Sequence, residues 1–173
     1  MKQAAAARRG RSAAREFAAV AAAAGIEALR GKAALHAHAA AVDCTAAWSF
    51  SGSVDLDAAF AASQPDAPRW DAGIGLHRTG ADADALIVWI EPHPASSTGH
   101  VAEMLHKLDW LKAKLKSAEF AGLRRLTEAA ERRGRAYRWL ARTGAIRIRP
   151  NSREHRLLIK AGLTMPARHL TVP

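Results

Sequence analysis

Two stretches of the sequence decide its fold: Trp70-Asp71-Ala72-Gly73-Ile74-Gly75-Leu76 and Leu86-Ile87-Val88-Trp89-Ile90-Glu91-Pro92-His93. Both are apolar and β-prone, and the polar residues 78–84 between them favour an antiparallel hairpin. Each predicted strand carries a carboxylate, and a charge buried in a sheet is costly unless a partner binds it. Alternation along a strand puts Glu91 and His93 on the same face. The sequence therefore indicates a cation or proton-transfer site, with the Asp71 and Glu91 carboxylates within about 6 Å of each other.

Composition indicates one globular domain. The chain has 173 residues, of which 49% are hydrophobic, enough to fill a core of ordinary size. We expect residues 1–11 to form a basic, flexible N-terminus and residues 12–173 to form the domain. Cys44 is the one cysteine in the sequence, so an internal disulfide is excluded and nothing indicates an oxidising compartment. No run of about 18 uncharged apolar residues is present, so we expect no membrane span and a cytoplasmic protein.

The net charge of +10 is unevenly distributed. Residues 39–103 hold nine acidic residues against two basic ones, whereas residues 104–173 hold seventeen basic residues against five acidic ones. A polyanion is the partner that such a field favours, and we expect nucleic acid in the first place, with DNA before RNA. A merely solvated basic surface and an anionic membrane surface are the alternatives, and a homodimer is also open. The predicted phosphate contacts are Arg124, Arg125, Arg132, Arg133, Arg135, Arg138, Arg147 and Arg149.

Periodicity and capping signals predict the remaining elements. A first helix is expected over residues 12–30, a strand over 43–49 and a helical turn over 57–62. The clearest helix follows Thr98 and ends at Leu115, with an apolar stripe at helical spacing. Residues 123–135 form a helix or a solvated loop, and residues 135–141 and 145–149 are predicted strands. A last helix starts at Asn151, with Glu154 as its capping-box partner, and closes at Gly162.

This order of elements, with an Asp on the second strand and Glu91-Pro92-His93 on the third, resembles the PD-(D/E)XK nuclease superfamily. The resemblance covers residues 12–149. It implies an α/β domain with the restriction-endonuclease-like αβββαβ core, a central mixed sheet flanked by helices, followed here by a C-terminal strand–helix extension. It also implies metal-dependent hydrolysis of nucleic-acid phosphodiester bonds. Asp71 matches the family's metal-binding Asp, and Glu91 matches its second acidic ligand.

The residue types fit that chemistry without the family. Phosphodiester hydrolysis needs a hydroxide and neutralisation of the developing oxyanion, and a divalent metal ion supplies both. Mg²⁺ and Mn²⁺ prefer oxygen ligands, which Asp71 and Glu91 provide. A hairpin-start residue and an edge-strand carboxylate facing water are the plain alternatives for these two positions.

His93 departs from the family pattern, because it stands where the family has a Lys that orients or activates water. Two alternatives follow. His93 acts as a general base or third metal ligand, or Lys107 on the next helix reaches the site, as in family members whose lysine has migrated. Glu16 or Glu27 could add a carboxylate from the first helix. Two other functions stay open: a nuclease-fold protein that binds nucleic acid or protein without catalysis, and a basic interaction protein of unrelated fold.

Three weaker signals receive structural interpretations. His36 and His38 lack ligand partners at metal-site spacing, so we expect no zinc there. Capping alone explains Ser96, Ser97 and Thr98, although a helix N-terminus can also bind phosphate. The five tryptophans are expected mainly in the core.

Overall fold

The computed structural model describes residues 2–80 and 84–173, with side chains from residue 7 onward. The centre of the predicted hairpin turn, residues 81–83, lies outside the described residues. The helices of the described part are α1 (Lys2–Ala23), α2 (Leu56–Phe60), α3 (Gly99–Leu115), α4 (Ala121–Glu131) and α5 (Arg153–Ala161), with a 3₁₀ segment over Ala33–Ala41. Its strands are β1 (Ala28–Leu29), β2 (Val42–Cys44), β3 (Trp48–Asp55), β4 (Ala72–Arg78), β5 (Ala85–His93), β6 (Tyr137–Ala141) and β7 (Leu170–Val172).

A mixed sheet of five strands in the order β1-β3-β4-β5-β6 forms the centre of the fold. The first four strands pair antiparallel, and β6 pairs parallel to β5. A parallel neighbour needs a crossover connection, and α3 and α4 supply it between β5 and β6. In this sheet the chain therefore runs through a helix, four antiparallel strands, helices and a parallel strand, which confirms the predicted mixed α/β class.

Helices cover both faces of this sheet. On one face, the ring of Phe17 in α1 lies directly over Gly52 and Gly75, and the indole of Trp89 donates to Thr127 Oγ1 of α4 at 2.8 Å. The next side chain along β3, Ser53, points to the other face, where its Oγ accepts from the Ala34 N–H of the 3₁₀ segment. Three tryptophans, Trp70, Trp89 and Trp139, are fully buried in the core.

Several elements differ from the sequence-based predictions. The helix predicted from Ser12 begins at Lys2 and ends at Ala23, so most of the segment expected to be flexible is helical. Ser12 is not an N-cap; its hydroxyl donates to Glu16 one turn later. Residues 145–149 form no strand, because only Ile148 of this alternating stretch is buried. The predicted strand over residues 43–49 is instead the end of β2, a turn and the start of β3.

Other predictions are confirmed. Residues 121–131 form a helix, and α3 ends at Leu115 as expected. In α5 the side chain of Ser152, rather than Asn151, caps the first turn, and Gly162 closes the helix in the left-handed conformation. No helix in residues 2–80 and 84–173 has the length and apolar character needed to cross a bilayer.

The close approach of α1 to the sheet gives a stability prediction. A methyl group at Gly75 would lie so close to the nearest carbon of the Phe17 ring that the two overlap sterically, so Gly75→Ala should destabilise the protein by about 1–3 kcal/mol through overpacking. Phe17→Leu in the same chain should recover part of that loss. Urea unfolding measures both effects.

Gly10→Ala is the matched control, because an added Cβ there would lie 4.0 Å from the nearest atom, Nε2 of His77. In a helix this change should be neutral or stabilising. Equal stability of wild type and Gly75→Ala would contradict the packing of Phe17 on β4.

Candidate functional site

The register of β4 and β5 brings the two predicted carboxylates together. Ala72 pairs with Ile90 in the antiparallel ladder, so Asp71, just before β4, lies opposite Glu91. The Asp71 N–H donates to Glu91 Oε2 at 2.8 Å, and the Asp71 carbonyl accepts from the Leu56 N–H at 2.8 Å. Backbone hydrogen bonds therefore hold the start of β4 against the Glu91 side chain.

Lys107 joins this pair from α3. Its ammonium donates to Asp71 Oδ1 at 3.3 Å and makes a short hydrogen bond to Glu91 Oε1. Two hydrogen bonds to one nitrogen place the two carboxylates within about 6 Å of each other, as expected from the sequence. Of the two alternatives for a basic group at this place, the geometry favours Lys107 over His93.

Burial differs sharply among the three groups. The side chain of Glu91 is fully buried, whereas those of Asp71 and Lys107 are 38% and 21% exposed. Burial raises the pKa of Glu91 to about 8, and the charge of Asp71 acts in the same direction, although Lys107 opposes it. Burial alone would lower the pKa of Lys107, but the two carboxylates outweigh it and raise that pKa. The ammonium therefore stays charged, and near neutral pH the cluster carries one negative charge or none.

His93 lies beside this cluster and bonds elsewhere. Its Nε2 is 2.8 Å from Glu103 Oε2, while its Nδ1 is 4.0 Å from Glu91 Oε1. The ring packs edge-on against His100 at 5.5 Å between centroids. Burial lowers the pKa of His93, with Lys107 and His100 adding to this effect and Glu103 opposing it. A neutral His93 is therefore favoured at pH 7.

The sequence-predicted arginines do not form one surface. Arg133 donates to both oxygens of Asp84 at 3.0 Å, at the end of β5 opposite to Glu91. Six residues of strand separate these ends by about 20 Å. By contrast, the loop after β6 lies beside the carboxylates, because the Arg142 N–H donates to the His93 carbonyl and the Arg147 N–H donates to the Ala95 carbonyl.

Three of the predicted arginines make contacts within the fold or are partly buried in it. Arg124 donates to the Leu115 and Lys116 carbonyls at the end of α3, and Arg133 also donates to the Ala129 carbonyl. Arg138 is half-buried on β6, and burial lowers the pKa of its guanidinium. The remaining predicted residues are exposed: Arg125, Arg132, Arg135, Arg147 and Arg149.

Other sequence candidates lie apart from the carboxylates. Glu16 lines a cavity of about 650 Å³ with His77 and Asp84, at the far end of the β4–β5 hairpin. Glu27 is exposed before β1. His36 Nε2 pairs with Asp55 Oδ2 at 2.7 Å. His100 and Glu103 had no predicted role, and the structure brings both against His93.

Comparison of the chain with protein-family models, curated proteins and solved structures gave no match. The arrangement of the side chains is therefore the basis for inferring a function.

The buried charge cluster gives a second stability prediction. Lys107→Met removes the counter-charge of the buried Glu91, so Glu91 of the variant keeps its proton to a higher pH than the pKa of about 8 that it has beside Lys107. Wild type and variant should both lose stability as the pH rises from the unfolded-state pKa of Glu91 to about 8, and only the variant should go on losing it above that pH. The stability lost by Lys107→Met should therefore be larger at pH 8.5 than at about pH 5. Urea unfolding at both pH values measures the difference.

Adding Glu91→Gln to Lys107→Met should restore part of the stability at pH 8.5, because the double variant buries no unpaired charge. Lys160→Met, on the exposed side of α5, is the control and should have little effect at either pH. A Lys107→Met loss that does not depend on pH would mean that packing, rather than the charge of Glu91, is responsible.

Proposed function

We propose that this protein is a metal-dependent nuclease of the PD-(D/E)XK type, which hydrolyses phosphodiester bonds in nucleic acid. The observation that carries the proposal is the contact of one ammonium, Lys107, with both Asp71 and Glu91. Lys107 restores from α3 the positive charge that the resemblance expects at position 93. The αβββαβ order of α1, β3, β4, β5, α3 and β6, with β6 parallel to β5, supports the restriction-endonuclease-like fold.

The donor set fits Mg²⁺ or Mn²⁺. Asp71 and Glu91 offer carboxylate oxygens, which these hard cations prefer, and Asp71 is accessible to solvent while Glu91 is anchored in the sheet. When bound, the cation would activate a water molecule and neutralise charge on the phosphate. The buried carboxylate gains a counter-charge stronger than a single ammonium, which favours cation entry.

The protein side chains have separate roles in this proposal. Glu91 and Asp71 hold the cation, and the Asp71 N–H keeps Glu91 oriented through Oε2. Lys107 faces the same space and stabilises the negative charge that develops on the phosphate oxygens. His93, 4.0 Å from Glu91, is placed to accept a proton from water entering beside the carboxylates.

The basic loop after β6 supports a polyanionic substrate. Its backbone is hydrogen-bonded to the residues that follow Glu91, at His93 and Ala95, so the exposed Arg147 and Arg149 lie at the same end of the sheet as the carboxylates. We propose that they grip phosphates flanking the scissile bond, with DNA as the substrate and the cytoplasm as the location. The arginines of α4 that face the other end would contact more distant phosphates.

A second function is favoured by one observation. The ammonium of Lys107 already neutralises the two carboxylates, as a permanent counter-ion would in a protein that binds nucleic acid or a protein partner without cleaving it. The two functions differ in whether a divalent cation supports turnover.

The cleavage test compares the wild-type protein with Asp71→Asn and Glu91→Gln. Each variant keeps the shape of the side chain but removes a ligand charge, so Mg²⁺- or Mn²⁺-dependent cleavage should fall at least ~100-fold while nucleic-acid binding persists. Single- and double-stranded DNA and RNA are the substrates. Asp109→Asn, an exposed change on α3, is the matched control and should retain full activity.

Absence of metal-dependent cleavage by the wild-type protein on all four substrates, together with binding, would favour the non-catalytic function. Full activity of Glu91→Gln would place the catalytic site elsewhere.

The binding surface is tested by two variants that remove the same charge. Arg147→Ala with Arg149→Ala should reduce the slope of log K against log salt by about 2, because each lost phosphate contact removes about one unit. Arg125→Ala with Arg132→Ala should change the binding of a short duplex less, since both residues are on α4 or its end, away from the carboxylates. Equal effects of the two pairs would contradict the assigned surface.

A further inference from the structure

Three metal-ligating side chains outside the carboxylate pair converge next to it. His93, His100 and Glu103 each place one ligand atom within 4.8 Å of the other two. His93 Nε2 and Glu103 Oε2 are 2.8 Å apart, and the two imidazole rings meet edge to face. The Nδ1 atom of His100 is buried and, within the described residues, has no hydrogen-bond partner.

Regular secondary structure positions all three. His93 is the last residue of β5, and its carbonyl accepts from the Trp139 indole at 3.0 Å and from the Arg142 N–H. His100 and Glu103 are three residues apart in the first two turns of α3, a spacing that puts both on one helix face. The cluster is therefore built on a strand end and a helix face rather than on a loose loop.

We propose that His93, His100 and Glu103 bind one divalent transition-metal ion of the Zn²⁺ class. Two imidazole nitrogens and one carboxylate oxygen suit Zn²⁺, Co²⁺, Ni²⁺ or Fe²⁺, whereas Mg²⁺ and Ca²⁺ take oxygen ligands. Three protein ligands leave a coordination position for water, as in metal sites that take part in reactions. This site uses neither Asp71 nor Glu91 as a ligand and does not rest on the proposed nuclease function, although it shares His93 with that centre and would engage the ring as a ligand instead of as a base.

Metal binding would break one hydrogen bond of the cluster and move one ring proton. The His93–Glu103 hydrogen bond is replaced by one metal–nitrogen and one metal–oxygen bond, and the metal takes up the Nε2 lone pair. The ring proton of His93 then resides on Nδ1, which faces Glu91 at 4.0 Å. A carboxylate behind a ligating imidazole is the usual outer partner of such ligands.

A metal ion here would act on the neighbouring cluster through α3. Glu103 lies one turn before Lys107 on the same helix, so an ion that links β5 to Glu103 restrains the helix segment that carries the ammonium. The site thus places a nitrogen-preferring ion beside a pair that prefers a hard ion.

Direct binding of Co²⁺ to the untagged full-length chain tests the proposal, with Co²⁺ absorption and calorimetry as readouts that need no catalytic activity. With Mg²⁺ in large excess to occupy the Asp71–Glu91 pair, we expect one equivalent of Co²⁺ to bind and Zn²⁺ to displace it. His100→Asn and Glu103→Gln should each weaken binding by at least about 100-fold. His106→Asn, an exposed histidine on the same helix, and Asp71→Asn should bind as the wild type does.

Failure of the wild-type protein to bind Co²⁺ or Zn²⁺, or unchanged affinity in both His100→Asn and Glu103→Gln, would overturn the site. Circular dichroism of each variant establishes that it is folded, and Glu103 is exposed enough that Glu103→Gln should fold even if His100→Asn does not. Loss of Mg²⁺-dependent cleavage in Asp71→Asn with Co²⁺ binding intact would separate this site from the proposed nuclease centre. Absence of cleavage with intact Co²⁺ binding would reject the nuclease function and leave the transition-metal site standing.

Discussion

The contact of Lys107 with Glu91 is the interaction on which the arrangement of this molecule depends. The Glu91 carboxylate is fully buried near the C-terminal end of β5, and burying a charge there is unfavourable without a close partner. The partner comes from α3, so the cost is offset only when that helix lies across the ends of β4 and β5. The hydrogen bond from the Asp71 N–H adds the start of β4 to the same constraint. The register of β4 and β5, the placement of α3 and the local charge balance therefore depend on one another.

The fold places the acidic and the basic parts of the sequence in different regions of the molecule. The acidic middle of the sequence supplies the central strands, and the basic C-terminal part supplies α4 and the loop after β6. These two basic segments reach opposite ends of the sheet, because β6 runs parallel to β5 and returns the chain to the carboxylates. Some arginines serve the fold itself: Arg124 satisfies carbonyls at the end of α3, and Arg133 ties α4 to Asp84.

Much of the central fold could be predicted from local signals. The apolar runs of β4 and β5, the stripe of α3 and the closing Gly162 of α5 are readable in short windows. The predictions that were wrong concern segments whose structure depends on residues far away in the chain. Strand β2 forms because residues 42–44 pair with residues 170–172. Residues 145–149 alternate like a strand, but only Ile148 among them is buried. In the candidate site, the proximity of Asp71 and Glu91 could be predicted because both lie on neighbouring strands of the predicted hairpin. The positions of Lys107, His100 and Glu103 depend on how α3 crosses the sheet, which no local pattern specifies.

The internal ammonium also separates assembly of the carboxylate pair from the supply of metal ions. In small zinc domains the ligands repel one another until the ion arrives, so folding and loading are one event. Here Lys107 already screens Asp71 from Glu91, so the carboxylate pair has a counter-charge from the chain itself. Under the proposed function, a cation would meet a site that is already assembled, and its binding would be a reversible exchange of counter-ions rather than a step in folding.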